Sequence, residues 1–220
     1  MRAAQKHPTI ITLEPLFELA QKRVCQTPGD SLGRLCDQSC GPSPLSRIAH
    51  HTTPVLAGKY LDRMNEIMLR GLLAIVNDMD NDGTVDLNAW LRHAVTIASI
   101  NATYGTLNPF KRRHIEDTFW KLQRNMSLLL ANIVPWLIAP KAWNARKDLC
   151  AALKNYFDLG GHEDGSELIA MRYSSFLGAG LTHEEIAYSE IPLVVGLLTN
   201  TVPAAFWVHF ELLSRPKLLG

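Results

Sequence analysis

The chain has 220 residues, with 22 Lys and Arg against 21 Asp and Glu, a net charge of +1, and 47% hydrophobic residues. That size and balance suit one globular domain or two small ones, and exclude a disordered polyelectrolyte and a basic nucleic-acid-binding surface. The start, MRAAQKHPTIITLEP, lacks the apolar run of a signal peptide, and four cysteines (Cys25, Cys36, Cys40, Cys150) are too few for a disulfide framework, so a reducing compartment is expected.

In chain order, Pro8 and Pro15 bracket a β-rich run over 9–13, and 14–23 has helical spacing. Residues 25–58 are expected to be loop, because TPGD, GRLC, CGPSP, Pro54 and Gly58 are breakers. An amphipathic helix follows over 59–79, with Leu61, Met64, Ile67, Met68, Leu72 and Ile75 at helical spacing. Further helices are predicted over 85–104, ended by Gly105 and NPF, then 111–133, 141–156 (after the breakers Pro135 and Pro140) and 167–178. There are no repeats. The fold class is mainly α.

The most informative stretch runs over 181–213 and is expected to end at Arg215 and Pro216. Thr182 and Glu185 have capping-box spacing, and no charged residue occurs from Ile191 to Val208. Thr199, Asn200 and Thr201 interrupt the apolar run just before Pro203. Pro203 has no N–H for the Thr199 carbonyl, so the helix should open there and place polar groups in apolar surroundings, facing a ligand, cofactor or water. About 20 apolar residues make a membrane span, so a non-catalytic helical membrane protein is a competing reading.

Other constellations are weaker. In DMDNDGTVDLNA, Asp78, Asp80, Asp82, Gly83, Val85 and Asp86 match calcium-loop positions, but Ala89 stands where a bidentate Glu closes such a site. A turn-forming acidic loop is preferred to a calcium-binding helical module. Cys36 and Cys40 with His50 and His51 lack zinc-finger spacing. His7, His93, His114, His162 and His209 are scattered, without evident sequence partners, and each reads as a satisfied surface or core histidine. No metal site is expected, and no nucleotide, hydrolase or metalloprotease motif occurs.

The stretch TNTVPAAFWVHFELLSRPKLL resembles the central oxygen-side helix (I helix) of the cytochrome P-450 haem-thiolate monooxygenases. It is closest to the branch of prostacyclin synthase and sterol 7α-hydroxylase, with fungal relatives. The pair Thr199–Asn200 and the tail Pro203, Ala204, Ala205, Phe206, Trp207 carry the likeness; a register with Asn200 and Thr201 as the pair stays open. The resemblance implies one incomplete domain over 1–220. Residues 1–58 match the B helix and B–C loop, 59–110 the C to E helices, 111–157 the F and G helices, and 166–215 the H and I helices. It also implies haem as cofactor and iron chemistry. Asn200, Thr199 and Thr201 would have catalytic roles, and Gly196, Asn200 and Ala204 would make room for haem. The implied partners are a lipophilic, steroid- or terpenoid-like substrate of fungal secondary metabolism and an NADPH-cytochrome reductase, at the endoplasmic reticulum membrane; no nucleic acid is implied. A peroxide rearrangement is a second chemistry open to such a site.

Two family signatures are missing: neither F-x-x-G-x-x-x-C-x-G, which carries the iron's thiolate, nor E-x-x-R occurs. The chain is therefore expected to be an internal fragment lacking both termini and any anchor. As such it would be poorly soluble and inactive alone, and cytoplasmic or of unknown location.

Overall fold

In the computed structural model, residues 14–79, 84–131 and 134–215 are described; the run 9–13 and His7 lie outside them. Among the described residues there are helices and turns and no strand, as the sequence predicts. The helices are α1 (Glu14–Ala20), continued by a π turn (Gln21–Cys25), α2 (Gly29–Cys36), α3 (Pro44–Thr52) and α4 (Gly58–Asn77). They continue as α5 (Leu87–Tyr104), α6 (Arg113–Arg124), α7 (Met126–Ala131), α8 (Pro135–Ile138), α9 (Pro140–Asp158), α10 (Glu167–Gly178), α11 (His183–Leu198) and α12 (Thr201–Leu213).

The expected loop over 25–58 is corrected: it holds α2 and α3. Its apparent breakers are helix-start signals. Pro44 occupies the first turn of α3, where a missing N–H costs nothing, and the Ser43 hydroxyl accepts the Ser46 N–H at 3.1 Å. The predicted single helix over 111–133 is also divided, at Asn125 (φ −114°, ψ 14°), into α6 and α7.

The core gathers on α9. Its buried residues Ala142, Ala145, Leu149, Ala152, Leu153, Tyr156 and Phe157 recur every three or four positions, so they make one broad apolar face with two flanks. One flank packs on α6 (Ile115, Phe119, Leu122) and the other on α11 (Ile186, Ala187, Ile191). A second layer sets α5 against α4 and α12. The end of α5 is fastened to a turn. Ser166 N–H donates to Thr103 O at 2.9 Å, and the Asp164 carboxylate accepts the Thr106 N–H at 2.8 Å. Gly105 is required there: its φ is 71°, and a Cβ would lie 2.3 Å from the Asp164 carbonyl oxygen.

Candidate functional site

The stretch over 181–213 is resolved into two helices. α11 starts with the predicted capping box: Thr182 Oγ1 accepts the Glu185 N–H at 3.3 Å, and the Glu185 carboxylate accepts the Thr182 N–H at 2.8 Å. Glu185 also accepts the Ser31 hydroxyl. Burial alone would raise the Glu185 pKa; the hydrogen bonds from Ser31 and Thr182 outweigh it and hold the carboxyl below its ordinary value. Helical assignment lapses at Thr199 and Asn200, where the sequence predicts an opening. The lapse is shallow, since Thr199 (φ −69°, ψ −22°) and Asn200 (φ −98°, ψ −39°) keep helical angles. Pro203 sits in the first turn of α12, where its missing N–H is tolerated.

The polar residues of this gap do not converge. Thr199 Oγ1 donates to Val195 O at 2.8 Å and Thr201 Oγ1 to Leu197 O at 2.7 Å, so each hydroxyl proton is held by the preceding turn. Two residues apart, the two threonines lie roughly 200° apart around the axis. Gly196, Asn200 and Ala204, at four-residue spacing, share one face, and all three are exposed. A Cβ on Gly196 would meet nothing within 4 Å. The expected burial of the gap in apolar surroundings is therefore corrected: Thr199 is half-buried, while Asn200 and Thr201 are open to solvent among the described residues.

The front of α11 is anchored by a network that the sequence reading missed. Glu190 is 0% exposed, accepts Arg172 Nε at 2.7 Å and accepts the Tyr104 hydroxyl at 3.0 Å. Arg172 Nη2 donates to Ser189 O at 3.1 Å. Burial and the Glu190 charge push the Tyr104 phenol well above its ordinary value. The visible signal was a lone Glu bordering a wholly apolar run; its partners lie on α5 and α10, at no fixed sequence spacing.

Three of the scattered histidines, read from the sequence as satisfied surface or core residues, do have partners. His93 Nδ1 lies 2.7 Å from the buried carboxylate of Glu116, His162 stacks on Tyr173 at 3.6 Å, and His209 Nδ1 lies 2.8 Å from Ala205 O. In the calcium-like stretch, Asp80, Asp82 and Gly83 lie outside the described residues. Asp86 caps α5, accepting the Ala89 N–H at 2.9 Å. No group of three His, Cys, Asp or Glu side chains suited to a metal occurs among the described residues.

Haem of the thiolate type needs a cysteine facing the Gly196–Asn200–Ala204 stripe, and the four cysteines do not fit. Cys25 is buried beside Arg172, Arg146 and Glu190, and burial pushes its thiol up to about 12. Burial likewise raises Cys150, whose titratable neighbours are Cys25, Arg146 and Glu184 at the start of α11. Cys36 lies near Glu18 and Glu14, and Cys40 is exposed in a turn. The chain offers the small-residue face but no thiolate opposite it.

Comparison with known proteins bears on what that face belongs to. The chain is 35% identical over 209 residues to the cytochrome P450 monooxygenase nodJ of Hypoxylon pulicicidum, a match spanning 92% of this chain and 39% of the relative. It is 22% identical over 165 residues to a cytochrome P450 monooxygenase of Gibberella zeae, spanning 73% of this chain and 32% of that protein. These matches support membership of the cytochrome P450 superfamily. The chain thus spans about two fifths of the first of these P450 relatives and a third of the second. No family model and no solved structure matches it. Among the described residues, one stretch, His183–Leu213, is long and apolar enough to cross a membrane; its most apolar 18-residue window has a mean hydropathy of 1.6 and is 22% buried.

Proposed function

We propose that the chain is part of a haem-dependent cytochrome P450 monooxygenase oxidising a lipophilic, steroid- or terpenoid-like substrate. In this reading the exposed Gly196–Asn200–Ala204 stripe lines the oxygen side of the haem. The similarity to nodJ over 92% of the chain carries the reading. The order of helices supports assigning 1–58 to the B helix and B–C loop, 59–110 to the C to E helices, 111–157 to F and G and 166–215 to H and I. The tail Pro203–Trp207 supports the prostacyclin synthase-like branch. Haem would supply the oxygen chemistry. This chain's part is to leave room at Gly196 and Ala204 and to present the Asn200 amide, which both donates and accepts. Thr199 and Thr201, with their protons on the backbone, are left as acceptors. The axial thiolate, the reductase contact and the endoplasmic reticulum association would belong to the rest of the enzyme.

Haem reconstitution followed by reduction and carbon monoxide tests this. The chain alone should give no thiolate-type band and no turnover. Substituted for the matching stretch of nodJ, it should give the band, and Asn200→Ala in that chimera should lower turnover while the band persists. A thiolate band from the chain alone, or a folded chimera without one, would sink the reading.

A further inference from the structure

A cavity of about 310 Å³ opens between α5, α6 and the start of α12, on the other side of Thr199 from the Gly196–Asn200–Ala204 stripe. Its lining is polar on two sides and apolar on the third. Asn88 and Arg92 come from α5, Trp120, Gln123 and Arg124 from α6, and Val202, Pro203 and Phe206 from α12. Two of the polar groups are orphaned. The Trp120 indole N–H and Arg92 Nε are both buried atoms with no hydrogen-bond partner; Trp120 is 9% exposed and Arg92 is half-buried. Native structures rarely leave buried donors unmet, because each forgoes its water without compensation. The cavity also carries two guanidinium groups and no carboxylate. Arg92 lies over the Trp120 ring at 5.8 Å, Arg124 Nε donates to Trp120 O at 3.2 Å, and neither pairs with an acid among the described residues.

The lining therefore has donors in excess of acceptors and two positive charges, against an apolar wall. Guanidinium forks and an indole N–H match the oxygens of a carboxylate. The wall of Val202, Pro203 and Phe206 matches an apolar body attached to that carboxylate. Exposed Asn88 stands at the mouth and buried Trp120 at the floor, so the site is reached from solvent on the α5 side. The volume is at the small end of ligand pockets, enough for an aromatic acid or the head of a longer one. We infer that this cavity is a binding site for an amphipathic carboxylate, held by Arg92, Arg124 and the Trp120 indole N–H. The inference does not depend on haem or on the oxygen-side reading, since the cysteines and the Gly196 stripe take no part.

Calorimetry with benzoate, its neutral analogue benzamide and inorganic phosphate tests it on the purified chain, alongside the Trp120 indole N–H resonance, assigned through Trp120→Phe. Benzoate should bind, benzamide and phosphate should each be at least about tenfold weaker, and the Trp120 resonance should move only with benzoate. Arg92→Gln should weaken benzoate by roughly tenfold, with partial rescue in Arg92→Lys, and leave benzamide unchanged. Arg124→Gln gives a second, independent route to the same loss. Benzamide or phosphate binding as well as benzoate would overturn the proposal. So would a fixed Trp120 resonance at saturating benzoate, benzoate binding unaffected by both arginine variants, or no benzoate binding at all.

Discussion

α11 and α12 are two halves of one apolar stretch, and the structure treats them differently. α11 buries Ile186, Ala187, Ser189, Glu190, Ile191, Val194 and Leu198 against α9, α10, α5 and the π turn. α12 is at least as apolar, yet it buries only Val202, and Trp207 and Val208 are each 58% exposed. Composition sets what a helix would gain by burial, roughly 25 cal/mol per Å². Whether it collects that gain depends on having neighbours. α11 has four, and α12 has chiefly α5, so the same kind of sequence makes a core on one side of Thr199 and an open apolar face on the other.

The largest expected contrast is between acids. Glu190→Ala would leave the Arg172 charge half-sheltered and the Tyr104 hydroxyl buried without an acceptor, a loss of about 3 kcal/mol by urea denaturation. The matching change in α12, Glu211→Ala, removes only the exposed Glu211–Arg215 pair at 2.7 Å and should shift stability by less than about 0.5 kcal/mol. Comparable losses from the two would erase the distinction between the halves.

Next in size is the cap of α11. Thr182→Ala should cost about 1 kcal/mol at neutral pH. The folded Glu185 carboxyl lies below its ordinary value, so its contribution is fully present above the ordinary carboxylate range and is lost as pH falls through the lower folded value. The gap between wild type and Thr182→Ala should therefore narrow at acid pH, as the bond from Thr182 Oγ1 to the Glu185 carboxylate weakens, while the bond from the Glu185 N–H to Thr182 Oγ1 keeps part of it. A gap that stays constant across that range would mean that the cap acts without Glu185.

The smallest effect on folding, and the sharpest on behaviour, concerns the open face of α12. Trp207→Gln with Val208→Lys should leave the unfolding midpoint nearly unchanged while raising the solubility limit, because it breaks an exposed apolar patch. A loss of several kcal/mol would show that α12 is buried in solution, and the contrast with α11 would fail.

Much of this was legible in the residues. The capping box, the bounds of α10, the Gly105 stop and the lapse at Thr199 and Asn200 all rest on local chemistry: side-chain oxygens within reach of nearby N–H groups, positive φ at glycine, and the N–H that Pro203 lacks. The same local logic fails at 25–58, because Ser and Pro, as at Ser43 and Pro44, serve equally in loops and at helix starts. The cavity escaped notice because Arg92 of α5, Trp120 of α6 and the Val202–Pro203–Phe206 wall of α12 lie far apart in sequence, at spacings that carry no motif.

The sequence by itself determined the mainly α class, local bounds such as those of α10 and the capped start of α11, and that one long stretch is uncharged and apolar, because those properties depend on residues within a turn or two of each other. Tertiary structure alone decided the rest. It set Glu190 against Arg172 and Tyr104, left Thr199 half-buried and Asn200 open, left Trp120 and Arg92 with unmet donors, and covered α11 but not α12. Each of these depends on which helices happen to be neighbours, and burial and charge pairing are properties of neighbours rather than of the segment itself.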